Sequence, residues 1–351
     1  MKIKKIIAGV AILLALTSSV FAAKAKKSNK DSGKVKIVTT IFPEYDWTRE
    51  ILGQNPGNVE LTLLLGNGVD LHSYQPSIQD IAKISTADIF IYVGGESDGW
   101  VKDALKNATN KNMKVINLLE TLGDKVKTEE IKEGMQEEEH EHHHRDGENH
   151  EDDDDHDHEA EEHHHHHDDE DEAEYDEHVW LSLRNAKVLS AEIASALTEK
   201  DPANADSYKA NLAAYIARLD SLDAEYGAAV KASSKKSILF GDRFPFRYLT
   251  DDYGLDYFAA FVGCSAETEA SFETVIFLAK KVDELGLNSV LKIESGDGKI
   301  ARTIIQNTKK KNAKVLTLDS IQSTTLKQAK AGTTYIQIME ENLKVLQEAL
   351  K

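Results

Sequence analysis

Residues 201–232 read DPANADSYKANLAAYIARLDSLDAEYGAAVKA. Tyr208, Leu212, Tyr215, Leu219, Leu222 and Tyr226 follow one another at steps of 4, 3, 4, 3 and 4. That spacing keeps them on one face of an α-helix, so a single apolar stripe runs the length of the segment. Asp201 supplies an N-cap and Pro202 a first helical position. A helix of about thirty residues is roughly 45 Å long, which is long for one packed inside a single α/β lobe. A coiled-coil seam is one reading. A rigid strut joining two lobes is preferred, because strand–helix alternation stands on both sides of it.

Upstream, β-branched and apolar runs at 35–40, 59–65, 88–93 and 113–118 read as strands. Helices are predicted at 43–52, ending at Gly53, at 78–85 behind a capping box of Ser77 and Asp80, at 100–107 and at 182–199. Downstream, strands are expected at 237–240, 257–261, 289–293 and 314–318, with helices at 271–285, 299–308 and 334–350. The strands are continuous apolar runs rather than alternating ones, which is the pattern of a parallel sheet covered on both faces. The expected fold is therefore α/β, with two lobes joined by one long rigid helix. Each lobe is a roughly four-stranded parallel sheet with helices on both faces. The N-terminal lobe is placed at 35–200, the linking helix at 201–232 and the C-terminal lobe at 233–351.

Residues 137–177 interrupt the first lobe. They hold 12 of the 14 histidines, 23 carboxylates and one Arg. So polar a run cannot bury enough apolar surface to offset chain entropy, and a disordered loop is expected. Its histidines are His140, His142, His143, His144, His150, His156, His158, His163, His164, His165, His166 and His167. Neutral imidazole and carboxylate both bind zinc, so the tract reads as a set of low-affinity metal sites. A solvated acidic tract and a purification tag are the other readings; acidity alone does not call for twelve histidines, and a tag is not normally internal. One Arg against 23 carboxylates makes the tract −22, while the whole chain is −19, so the remainder is near neutral. No basic patch argues for nucleic acid.

The first 22 residues carry three lysines, an apolar core and a small-residue site ending at Ala22, the pattern of a cleaved signal peptide. An uncleaved anchor is the alternative. Residues 23–34 read as a flexible lead-in. No Cys lies near the cleavage site, so export to the periplasm or another extracytoplasmic space without a lipid anchor is expected. The single Cys264 forms no internal disulfide. Leader and tract aside, roughly 280 residues remain, enough for two lobes.

Ligands of open parallel sheets bind beyond the carboxyl ends of the strands. His72 lies there in a glycine loop, Asp242 follows the strand at 237–240, and Glu294 and Asp319 directly follow later strands. His178 lies just before a helix. Two imidazoles and one or two carboxylates suit a first-row divalent cation. Each carboxylate is equally able to cap a helix. No HExxH helix, nucleophile elbow or phosphate loop points to a hydrolase.

The segments LLLGNGVDLHSYQPSIQDIAKISTADIFIYVGG and DEHVWLSLRNAKVLSAEIASAL resemble the two histidine-ligand segments of the extracytoplasmic solute-binding proteins of zinc and manganese ABC transporters, the cluster A-I family. The resemblance covers nearly the whole mature chain and also includes an acidic, His-rich loop just before the second ligand. It implies His72 and His178 as ligands and two α/β lobes on a rigid helix. TLDSIQ resembles the final carboxylate segment and implies Asp319. FGDRFPFRYLTDDYGL departs from the family at the third ligand, with Asp242 nearest. GCSAETEAS resembles a shared loop in which Glu267 stands, with Cys264 either a soft zinc ligand or an inert buried thiol. The function implied is high-affinity capture of Zn2+ by a monomer, which delivers it to an ABC permease and is not an enzyme. Mn2+ is the alternative cargo, and an extracytoplasmic zinc buffer or adhesin the alternative role.

Overall fold

The computed structural model describes residues 33–54, 58–136, 174–265 and 269–351. The expected signal peptide, the twelve tract histidines and Glu267 lie outside them. Lys34–Lys351 forms one compact unit. Its first half runs β1 (Val35–Thr39), α1 (Phe42–Leu52), β2 (Val59–Leu63), α2 (Ile78–Ser85), β3 (Ile89–Tyr92), α3 (Val101–Lys106), β4 (Lys114–Asn117) and α4 (Leu118–Leu122). Two long helices follow, α5 (Leu183–Lys200) and α6 (Ala205–Ala232). The second half runs β5 (Ser237–Leu239), α7 (Arg247–Tyr253), β6 (Asp256–Phe258), α8 (Phe272–Glu284), β7 (Ser289–Lys292), α9 (Lys299–Asn307), β8 (Lys314–Thr317), α10 (Leu326–Lys330) and α11 (Tyr335–Ala349).

The first sheet is parallel throughout, in the order β2-β1-β3-β4. In the second half β5 pairs with β6 and β7 with β8, again in parallel. A parallel bridge between Phe240 and Leu291 joins the two pairs, so the strands lie in the corresponding order β6-β5-β7-β8. The two halves are thus topological copies. Ile89, Phe90, Ile91, Val290 and Leu291 are buried, as unbroken apolar runs in central parallel strands require.

The strut is α6. Tyr208, Tyr215, Leu219, Leu222 and Tyr226 are buried along one stripe, and Leu212 is half-buried. Near its start, the Asn211 side chain donates to the Ile51 carbonyl on α1 (2.9 Å). Toward its end, the Tyr226 hydroxyl donates to the Met339 carbonyl on α11 (2.6 Å). One rigid helix is therefore bonded to an element of each half. Asp201 does not cap it with a backbone bond. The residues after it form a short 3-10 turn, Pro202–Asn204, and its carboxylate accepts instead from Asn204 and from the Tyr208 hydroxyl (2.7 Å each).

Further bonds tie the halves directly. The Tyr335 backbone N–H donates to Asp46 (2.6 Å), and the Tyr335 hydroxyl donates to the Trp180 carbonyl (2.7 Å). The Trp180 indole donates to the Ser320 carbonyl (2.9 Å), and Arg49 donates to the carbonyls of Ala329 and Thr333. Glu174–Glu177 of the acidic tract, expected in the disordered loop, belong to the fold. Tyr175 bridges Thr128, and Asp176 and Glu177 are buried.

Candidate metal centre

His72 is delivered by the loop after β2. It sits in a 3-10 turn, Leu71–Ser73, whose N-cap Asp70 accepts its backbone N–H (3.1 Å). His178 lies just before the turn Val179–Leu181 that leads into α5, which Ser182 caps. Their Nε2 atoms approach to 3.1 Å. His178 is fully buried and His72 nearly so.

The far side of each ring has a partner. Asp176 Oδ1 lies 3.0 Å from His178 Nδ1 and also accepts the His178 backbone N–H (2.9 Å). His72 Nδ1 faces the Ser97 hydroxyl at 2.8 Å and Glu177 Oε2 at 3.5 Å. With Nδ1 donating to Asp176 in one ring and to Ser97 or Glu177 in the other, both Nε2 lone pairs are aimed at one point. Fixing a ring through its outer nitrogen is how proteins orient metal-binding histidines. Two nitrogens on a tetrahedral zinc, each about 2.0–2.1 Å from it, stand about 3.3 Å apart, close to the observed spacing. Burial, the neighbouring His178 and Arg243 push the His72 pKa down, against the pull of Asp70, to about 3. The ring is therefore neutral and able to bind a metal over the physiological range.

The second half contributes a third donor. Cys264 follows β6, and its sulfur lies within 4.8 Å of nitrogens of both histidines. Among the described residues, this is the group of three or more metal-type side chains that converge. Gly263 makes the approach possible, since a Cβ there would stand 3.0 Å from both His178 Cε1 and the Phe244 carbonyl. Gly95, at φ +80°, serves Glu177 in the same way; a Cβ there would be 2.3 Å from Glu177 Oε1, which accepts the Ser97 N–H (2.9 Å).

Asp242 and Asp319 are not among the side chains that converge within 4.8 Å. Asp242 accepts the backbone N–H groups of Arg243 (3.0 Å) and Ile293 (3.2 Å) and lines a cavity of about 360 Å3 with Ser295, Gly296 and Lys299. Asp319 accepts the Ile321 N–H (2.7 Å); burial and the nearby Glu294 push its carboxyl up to about 7. Glu294 itself holds the loop after β8, accepting from Ser320 and Ser323. The residue of the FGDRFPF segment that faces the histidines is Arg243, ion-paired with Asp70 across the two halves. Asp176, Glu177 and Ser97 carried no spacing signal. The first two were hidden at the end of an acidic run.

Residues 37–349 match the family described as zinc-uptake complex component A, periplasmic. The chain belongs to that family. Among its relatives is the zinc-binding protein AdcA of Streptococcus pyogenes, 30% identical over 349 residues, which cover 95% of this chain and 60% of the relative. The high-affinity zinc uptake system protein ZnuA of Bacillus subtilis is 29% identical over 334 residues, with 94% and 93% covered. The chain therefore spans about 60% of the length of its AdcA relatives but nearly all of ZnuA. The Zn(II)-bound ZnuA-like domain of Streptococcus pneumoniae AdcA superposes with a TM-score of 0.65 at 28% identity, covering 91% of this chain and 99% of that domain. That likeness agrees with the α/β fold expected from the long helix and the two strand sets. A family described as periplasmic agrees with the expected extracytoplasmic location. The expected absence of a lipid anchor gains no support, since AdcA of S. pneumoniae and a B. subtilis structural neighbour are named lipoproteins. Among the described residues, no helix is long and apolar enough to cross a membrane.

Proposed function

We propose that this chain is the extracytoplasmic receptor of an ABC uptake system, which captures zinc between its two lobes and passes it to a membrane permease. It acts by binding, as a monomer, and not as an enzyme. The observation that carries this reading is the pair of Nε2 atoms 3.1 Å apart, with Nδ1 of His178 held by the buried Asp176 and Nδ1 of His72 by the half-buried Ser97. Two lone pairs directed at each other in a buried space repel unless a proton or a cation lies between them. Zinc is favoured over manganese because the relatives are named for zinc and because imidazole suits it well.

The lobe division at 35–200, 201–232 and 233–351 belongs to the same proposal, with the cleft between the lobes as the place of capture. Asp242 already accepts a backbone N–H on each of its oxygens, whereas Asp319 accepts one on Oδ1 alone. The tract histidines serve as a weaker collecting set, in keeping with their number.

Calorimetric titration with Zn2+ and Mn2+, on the chain with and without residues 137–173, tests the reading. The expected result is one tight zinc site that survives the deletion, with manganese weaker. Loss of nearly all binding on deletion would instead make the protein a zinc buffer. A manganese preference would make manganese the cargo. Asp242→Asn and Asp319→Asn in the same titration show whether either carboxylate contributes.

A further inference from the structure

We infer that Cys264 is the third protein ligand of the captured ion, through its thiolate, and that it biases the site toward zinc and against manganese. The inference rests on the zinc reading of the histidine pair and goes beyond it.

Topology makes Cys264 the counterpart of His72. The two sheets have corresponding strand orders, with β2 and β6 at corresponding edges. His72 lies in the loop beyond the carboxyl end of β2, and Cys264 in the loop beyond that of β6. Each half thus sends one donor from the same kind of loop to the same point, and His178 supplies the third. The two carboxylates of the second half that sequence marks as donors are not in this group; they accept backbone N–H groups instead.

The loop is built for close approach. Gly263 lies flush against the His178 ring, where any larger residue would hold Cys264 away. Glu129 accepts the Cys264 backbone N–H (3.0 Å), fixing the position of the residue, and its carboxylate also lies against the thiol. When the sulfur–metal bond forms, the Sγ–H proton leaves, and Glu129 is the adjacent acceptor. The thiolate brings one negative charge and a soft donor to a site that otherwise offers two neutral imidazoles. Soft sulfur favours zinc, whereas manganese prefers oxygen. A protein zinc site with three ligands retains a fourth position for water.

Cobalt(II) is the direct probe, because thiolate ligation gives a sulfur-to-cobalt charge-transfer absorption in the near ultraviolet that nitrogen and oxygen ligands do not produce. Cys264 is the one Cys in the chain, so the band has a single possible source and the full-length protein can be used. One equivalent of Co2+ is expected to give the band. Cys264→Ser should abolish it while keeping the visible ligand-field absorption of cobalt held by the histidines. Zinc affinity should fall in Cys264→Ser by at least the roughly 10–100-fold that loss of an outer-sphere partner causes, and manganese affinity should hold. Ligand-field absorption that depends on His72 and His178 but carries no charge-transfer band would overturn the thiolate ligand and leave the histidine site standing. A band that persists in His72→Ala and His178→Ala would overturn a shared site. Cobalt absorption unaffected by either histidine, with no thiolate band, would remove both readings.

Discussion

Asp176 Oδ1 sits at hydrogen-bonding distance from both the backbone nitrogen and the ring Nδ1 of His178 (2.9 and 3.0 Å). One carboxylate oxygen thus fixes both the position and the tautomer of a fully buried ring. Asp176→Ala should weaken zinc binding about 10–100-fold. Its main-chain carbonyl, which accepts from the Tyr248 hydroxyl (2.8 Å), is untouched by the change, so the fold should persist. Zinc titration beside a circular dichroism melt checks both halves of this prediction. Undiminished affinity would mean that His178 does not depend on Asp176 for its orientation.

Gly263→Ala places a methyl group 3.0 Å from both His178 Cε1 and the Phe244 carbonyl. Either the His178 ring or the loop that carries Cys264 must give by a few tenths of an ångström to accommodate it. Zinc affinity should drop by about tenfold, near 1.4 kcal/mol. If affinity is retained, the loop's close approach has no bearing on the ion.

Tyr226→Phe removes the buried hydroxyl bond that joins α6 to the Met339 carbonyl (2.6 Å). The carbonyl is left without that donor, so a loss of about 1–3 kcal/mol is expected. Urea denaturation at neutral pH measures it. A change within error would show that the C-terminal half holds the strut by apolar contact alone.

Glu44 is fully buried near the start of α1. Burial, with Asp98 nearby, pushes its pKa up to about 8, against the opposing pull of the Thr40 and Ile41 N–H groups. The folded value lies above the unfolded one. The stability linked to this group is therefore complete below about pH 4.5 and is lost as pH rises through about 8. Wild-type stability should fall between pH 6 and pH 9 more steeply than that of Glu44→Gln, as denaturant midpoints across that range would show. Parallel profiles would mean that Glu44 does not titrate there.

Much of the fold was legible because its signals are local and repeated. The stripe from Tyr208 to Tyr226 marks a helix by spacing alone, and Ser77 and Asp80 form the reciprocal cap their types suggest. The strand runs announce themselves because central parallel strands exclude polar residues from both faces. α4 and α10 were missed: each spans 5 residues, too few to show a period. His72 and His178 were visible because they are the two histidines outside the tract. The surroundings were not. Asp176 and Glu177 are compositionally part of an acidic run, and it is tertiary bonds, such as the Tyr175 bridge to Thr128 and the Asp176 N–H to the Lys127 carbonyl, that separate them from it. Cys264 lies 192 positions after His72 and shows no spacing to it; the matching strand order of the two halves brings them together. A carboxylate after a strand, such as Asp242, reads alike whether it caps a loop or binds a cation, and here its oxygens accept backbone N–H groups.

The position of the bound ion decides whether the histidine pair is the site of capture. Crystals of the zinc-loaded protein, measured at the zinc absorption edge, locate it without reference to any assumed ligand. One strong anomalous peak is expected about 2.0–2.1 Å from Nε2 of both His72 and His178. A dominant peak elsewhere, or one bound by only one of these rings, would contradict that site.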